Sequence, residues 1–204
     1  MLMDMAELSE KSVGTSIDAY VTGRNVVNDI DAWSNELGKN HDDVKDLGVE
    51  LLARYQPVAS DLRFIESALE ISYGFFRYGR YALDIAQVLD MFGDLSKCDN
   101  SIIQTTAKMT KEMIHMSTEA FATRDVELAK RIKNMDDYVD EKYRTNLMGI
   151  AQNPNQDLKC AVSTTLILRY LERIADHSAY IGESVVYIVT GEKTQRMEEV
   201  SIPN

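Results

Sequence analysis

The sequence predicts an all-α protein made of two tandem three-helix bundles, and three observations carry that expectation. Only three prolines and ten glycines punctuate 204 residues, too few for an all-β chain that turns every ten residues or so. The long proline-free stretches are rich in Ala, Leu, Met, Glu, Lys and Arg, the better helix formers. Breaks cut these stretches into six segments whose order, short, long, long, occurs twice.

Each segment follows from local signals. A first helix is expected near 7–22, ending at Gly23, and a second near 25–55, stopping at Gln56-Pro57. Ser60 and Asp61 then offer caps for a third over 59–92. Gly93 to Asn100 is a polar, glycine-containing connector near the middle of the chain. A fourth helix over 102–122 stops at the Thr123-Arg124-Asp125 step. The fifth, 125–151, has a clear period: Leu128, Ile132, Met135, Val139, Tyr143, Leu147 and Ile150 advance by three or four residues, forming a core-facing stripe. Asn153-Pro154-Asn155-Gln156-Asp157 breaks and restarts the chain. The sixth helix, 157–190, is apolar over a wider arc through Val162, Leu166, Ile174, Ile181, Val185 and Ile188, and should be the most buried of its half. A tail from Glu192 through Pro203 to Asn204 has no periodicity and should fray.

A gapless shift of 96 positions supports the doubling. It places Asp61-Leu62-Arg63 on Asp157-Leu158-Lys159, Ser67 on Ser163, Ile71 on Ile167, Arg77 on Arg173 and Ile85 on Ile181. The expected division is residues 1–96 for one bundle, 97–192 for the other, and 193–204 for the tail.

Charge narrows the function classes. Acidic residues outnumber basic ones 33 to 22, for a net charge of −11. No basic surplus exists for counterion release on nucleic acid or for a polybasic membrane contact. No run of eighteen apolar residues suggests a spanning helix, and the N-terminal Met-Leu-Met-Asp-Met lacks the charge pattern of a leader. A cytoplasmic location is expected. Cys98 and Cys160 are far apart and belong to no metal-binding spacing. Reduced thiols are expected of them, with a disulfide as the alternative.

The strongest chemical signal is a set of carboxylates in the second half. Asp136 and Asp140 lie four residues apart on the fifth helix, and Glu172 and Asp176 repeat the spacing on the sixth, so each pair shares a helix face. Four converging carboxylates would suit iron, manganese, magnesium or calcium. Among 33 acids such spacings also arise by chance, as Asp42/Asp46/Glu50 and Glu66/Glu70 show, and most are solvated. Glu172 and Asp176 stand out because they interrupt an apolar run, where an unpaired charge is costly. Arg169 or Arg173 could equally pair with them, and His177 could lie on the helix surface. Only one ExxH exists, Glu112 to His115, whereas a di-iron carboxylate bundle needs two. No P-loop, dinucleotide fingerprint, nucleophile elbow or HExxH is present. No enzymatic activity is expected.

The sixth segment, Leu171 to Glu183 followed by Val186 to Glu192, closely resembles the closing helix of PhoU-type phosphate-uptake regulators. Ala120-Phe121, Arg124 to Ala129 and Asp136 to Tyr143 resemble the matching helix pair, and Leu52 to Arg63 is similar to the family's distinctive loop segment. The resemblance implies a cytoplasmic, non-enzymatic negative regulator of phosphate uptake. Its implied partners are a phosphate ABC transporter ATPase subunit and a sensor kinase; the implied assembly is a homodimer, peripheral to the membrane through protein contacts. The resemblance also implies a multinuclear metal cluster in each bundle, iron first, with zinc, manganese, magnesium or calcium as alternatives. Its ligand positions in the second bundle are Asp136, Asp140, Glu172 and Asp176. In the first bundle Phe76 and Arg80 stand at the second acidic pair, and Ser34 and Gly38 fall near the first, so only one cluster is expected. Tyr180 replaces a common Asn beyond the ligand pair. The alternatives are a metal-free helical interaction module and, third, a carboxylate-metal enzyme.

Overall fold

The computed structural model describes residues 1–95, 97–153 and 157–193, so the Pro154 restart and the tail from residue 194, with Pro203, lie outside the described residues. The described residues form six α-helices and no strand: α1 (Leu2–Thr22), α2 (Val27–Tyr55), α3 (Ala59–Phe92), α4 (Ser101–Thr123), α5 (Val126–Gln152) and α6 (Leu158–Thr190). α1 starts five residues before its expected onset, because Met5 and Ala6 are fully buried and their packing holds the first turn.

Helix ends follow ordinary cap chemistry with one correction. Gly23 and Gly191 take the left-handed conformation that stops α1 and α6. Asp125 and Asp157 accept hydrogen bonds from the Leu128 and Cys160 amides, each 2.9 Å long, and so cap α5 and α6. Ser60 and Asp61 do not cap α3. Its N-cap is Val58, without a side-chain bond, and Ala59 at φ 50° already belongs to the helix. The chain turns there through Gln56 at φ 45° instead.

Helices α1, α2 and α3 form one three-helix bundle and α4, α5 and α6 the other. The two are joined by α3 against α6 and by α1 against α4. α3 and α6 run antiparallel: Glu66 meets Tyr187 and Lys193, Tyr78 meets Ser178, and Asp94 meets Lys159. At the centre of this seam the buried Tyr78 hydroxyl bonds Ser178 Oγ at 2.6 Å. Buried Ser and Thr on α1, α4 and α6 bond carbonyls three or four residues back, as Ser9, Ser16, Thr110 and Ser117 do. Such small residues satisfy themselves and let helices approach closely.

The wide apolar arc of α6 is largely buried, with Ile174, Ile181, Val185 and Ile188 in the interior, although Val162 is exposed. The α5 stripe is buried at Ile132 and Val139 and exposed by Leu147. The thiol expectation is overturned: Cys98 and Cys160 form a disulfide. The antiparallel course of α6 brings its first turn beside the connector after α3, where Lys159 Nζ also donates to the Asp94 carbonyl at 2.7 Å.

Candidate metal centre

The carboxylates sit between α5 and α6, six residues along α6 from a close helix–helix contact at Gly182. Gly182 permits that approach: a Cβ there would stand 2.9 Å from the Ala129 carbonyl oxygen. With the helices antiparallel, Asp136 and Asp140 on α5 face Asp176 on α6, and one oxygen of each lies within 4.8 Å of the others. Glu172, the fourth residue expected, lies outside that group. It is 8% exposed and its Oε1 accepts a short hydrogen bond from Arg169 Nη1.

Basic residues surround the group more loosely. Arg173 approaches Glu172 at 3.9 Å and Asp176 at 3.8 Å, and Arg144 reaches Asp140 at 3.5 Å. Lys133, one turn before Asp136, pairs with Glu183 at 3.8 Å. Even so, Asp136 Oδ1, Asp140 Oδ1 and Glu172 Oε2 are buried without a hydrogen-bond donor. Burial, and then the charges of Asp176 and Asp140, push the Asp136 carboxyl up to about 7. Glu172 rises to about 7 through burial and the Asp176 charge, against the pull of Arg169. Asp176 is raised mainly by burial, then by Asp140. Like charges crowded in a poorly solvated site favour a proton or a cation between them.

An all-oxygen donor set with orphaned buried oxygens fits a hard or borderline divalent cation. His177, adjacent in sequence to Asp176, is placed elsewhere. Its ring lies among Tyr73, Tyr81 and Tyr180 at 5.7–5.9 Å on the α3–α6 seam. Burial, then Arg77 and Arg173, lowers it to about 4, so it is neutral near pH 7. The single ExxH is a surface feature, its exposed His115 lying 3.9 Å from Glu10.

The corresponding place in the first bundle is filled with hydrocarbon. The Phe76 ring lies 3.4 Å from where a Gly38 Cβ would stand and stacks on His41 at 5.8 Å. Ser34 is buried across from Gly79, with its Oγ unpartnered. Arg80 lies close enough to Asp84 to pull its carboxyl down against the larger rise caused by burial. No carboxylate group of the α5–α6 kind forms there among the described residues.

The role of Arg169 was open in the sequence, because its partner depends on rotamer and helix pairing. Its guanidinium also lies 5.5 Å from the centre of the Tyr143 ring on α5. The i, i+3 spacing of Arg169 and Glu172 was the available signal.

Comparison with known proteins adds identity to this geometry. A family model described as PhoU domain matches residues 2–89 and 103–185, one segment in each bundle. A protein of Pseudomonas putida named phosphate-specific transport system accessory protein PhoU homolog is 29% identical over 205 residues, covering 96% of this chain and 79% of that protein. The Pseudomonas aeruginosa protein of the same name is 30% identical over 200 residues, covering 93% and 81%. The crystal structure of PhoU from Pseudomonas aeruginosa superposes with a TM-score of 0.85 at 27% identity, covering 94% of both chains. The Streptococcus pneumoniae phosphate transport system regulatory protein PhoU shares the fold, with a TM-score of 0.86 at 21% identity.

Proposed function

The chain belongs to the PhoU family, and on that premise we propose that it is an accessory regulator of a phosphate-specific transport system that holds a metal between α5 and α6. Proteins of this family are accessory regulators, not enzymes. The metal reading rests on one observation: three carboxylates from two helices meet within 4.8 Å, and two of them keep a buried oxygen without a donor.

Asp136, Asp140 and Asp176 would hold the cation, with Glu172 as a fourth ligand. Iron is the first choice, and manganese, magnesium, calcium or zinc the alternatives. When bound, the cation supplies positive charge that offsets the repulsion among these carboxylates and ties α5 to α6. The chain's own part is to pack α5 against α6, through the Gly182 contact and the buried Ile132 and Val139, so that the acids face one another.

Regulation would run through protein contact. The net charge of −11 disfavours anionic surfaces, and among the described residues no helix is long and apolar enough to cross a membrane. Exposed apolar side chains cluster at the helix ends of both bundles: Tyr55, Val58 and Leu62 in one, Met148, Leu158 and Val162 in the other. These surfaces suit a transporter ATPase subunit, a sensor kinase and a second copy of the chain, with negative regulation as the outcome.

Asp140→Asn combined with Asp176→Asn is expected to remove bound metal from the purified protein while leaving its helical content intact. Elemental analysis and circular dichroism check this; unchanged metal content sinks the assignment. A metal-free interaction module is the second reading, favoured by the Arg169–Glu172 bond. It requires that cations leave the melting temperature unchanged, since a ligand of the folded state alone must raise it.

A further inference from the structure

The geometry points to Arg169 as a latch that withholds the fourth ligand, Glu172, from the cation site. This inference rests on the metal reading above and adds a competitor built into the same helix. Glu172 is the member of the expected quartet that stays outside the carboxylate group, and it accepts a part-buried hydrogen bond from a guanidinium, whereas the one that Asp140 accepts from Arg144 is exposed and 3.5 Å long. The other three acids have weaker counter-charges. Arg144 stands 3.5 Å from Asp140 and is 73% exposed, Arg173 stands 3.8 Å from Asp176, and Lys133 pairs with Glu183.

Two features make the latch reversible. Glu172 Oε2 has no hydrogen-bond donor although it is buried, and only the loose ion pair with Arg173 at 3.9 Å holds it. While bonded to Glu172, the Arg169 guanidinium already lies 5.5 Å from the centre of the Tyr143 ring on α5, a contact it would keep on release. A guanidinium released from a carboxylate stays favourably placed over an aromatic face. The observed arrangement is a three-carboxylate state with Arg169 on both Glu172 and Tyr143; the latch adds a second, four-carboxylate state in which Arg169 keeps Tyr143 alone. A cation in the site favours the second state, because only there does Glu172 contribute charge to it. The latch sets a cation threshold, since part of the binding free energy goes into breaking the Arg169–Glu172 bond.

The test is calorimetric titration of Mn²⁺ into the chelator-treated full chain and into its Arg169→Gln, Glu172→Gln and doubly substituted variants, each checked for fold by circular dichroism. Arg169→Gln is expected to tighten Mn²⁺ binding by about tenfold or more, the worth of one charge-assisted hydrogen bond. Glu172→Gln is expected to weaken binding more in the Arg169→Gln background than in the unaltered chain, a coupling the cycle isolates. Binding by the Arg169→Gln chain alone would also support the latch. Equal or weaker binding by Arg169→Gln, or the same cost of Glu172→Gln in both backgrounds, overturns it while leaving the metal site standing. Absence of Mn²⁺ binding in every chain overturns the metal reading, and the latch falls with it.

Discussion

Gly182 sets the spacing on which the α5–α6 site depends. In most helix interiors alanine is more stable than glycine by about 1 kcal/mol or somewhat less. Here the added methyl would stand 2.9 Å from a backbone carbonyl oxygen, which no rotamer change can clear. Gly182→Ala is therefore expected to destabilise the protein by about 1–3 kcal/mol, read as a lowered melting temperature. The carboxyls of Asp136 and Glu172, pushed up to about 7, give a second expectation. Between their ordinary range and about 7, the folded chain holds protons that the unfolded chain has released, so stability falls as pH rises through that window. His177 acts in the opposite sense: lowered to about 4 from 6.5, it withdraws stability as pH falls between those values. From about pH 8 down to 6.5 the carboxyls dominate. The cation-free protein should melt at higher temperature at pH 6.5 than at 8, and the difference should shrink in a chain carrying Asp136→Asn and Glu172→Gln. Metal affinity should move the other way, falling with pH as the same carboxyls take up protons.

Among the helices, α6 does the most. It carries half of the carboxylates, contributes Ser178 and His177 to the seam, and begins at a covalent tie to the connector. The Cys98–Cys160 disulfide closes a loop spanning 62 positions, which contains all of α4 and α5. Restricting the unfolded chain in this way is worth about 4 kcal/mol in the chain-entropy account. Replacing both cysteines with serine, or adding a dithiol reductant, should lower the denaturant midpoint, with a loss of roughly 2–4 kcal/mol. Equal midpoints with and without reductant would show that the tie adds nothing. The helices themselves were legible from periodicity and breakers to within a residue or two, apart from the start of α1. That start depends on Met5 and Ala6 packing in the core, which a local pattern does not reveal.

At the scale of the molecule, two bundles of one architecture differ in what lies between their long helices. The second holds carboxylates; the first holds Phe76 packed over Gly38, with Ser34 buried beside it. Restoring one acidic pair by Phe76→Glu with Arg80→Asp should therefore not add a second metal equivalent, because Ser34 and Gly38 supply no opposing carboxylate. The metal-to-protein ratio after reconstitution checks this, and a doubled ratio would refute it. The sequence by itself determined the helices, their doubling and the carboxylate spacings. These are properties of period, local propensity and register along one chain. Only the tertiary structure decided that Cys98 meets Cys160, that His177 belongs to the tyrosines of the seam, and that Glu172 bonds Arg169 and lies outside the group of the other three acids. Each of these depends on which helix faces lie opposite one another and which rotamer a long side chain adopts once burial has removed its water.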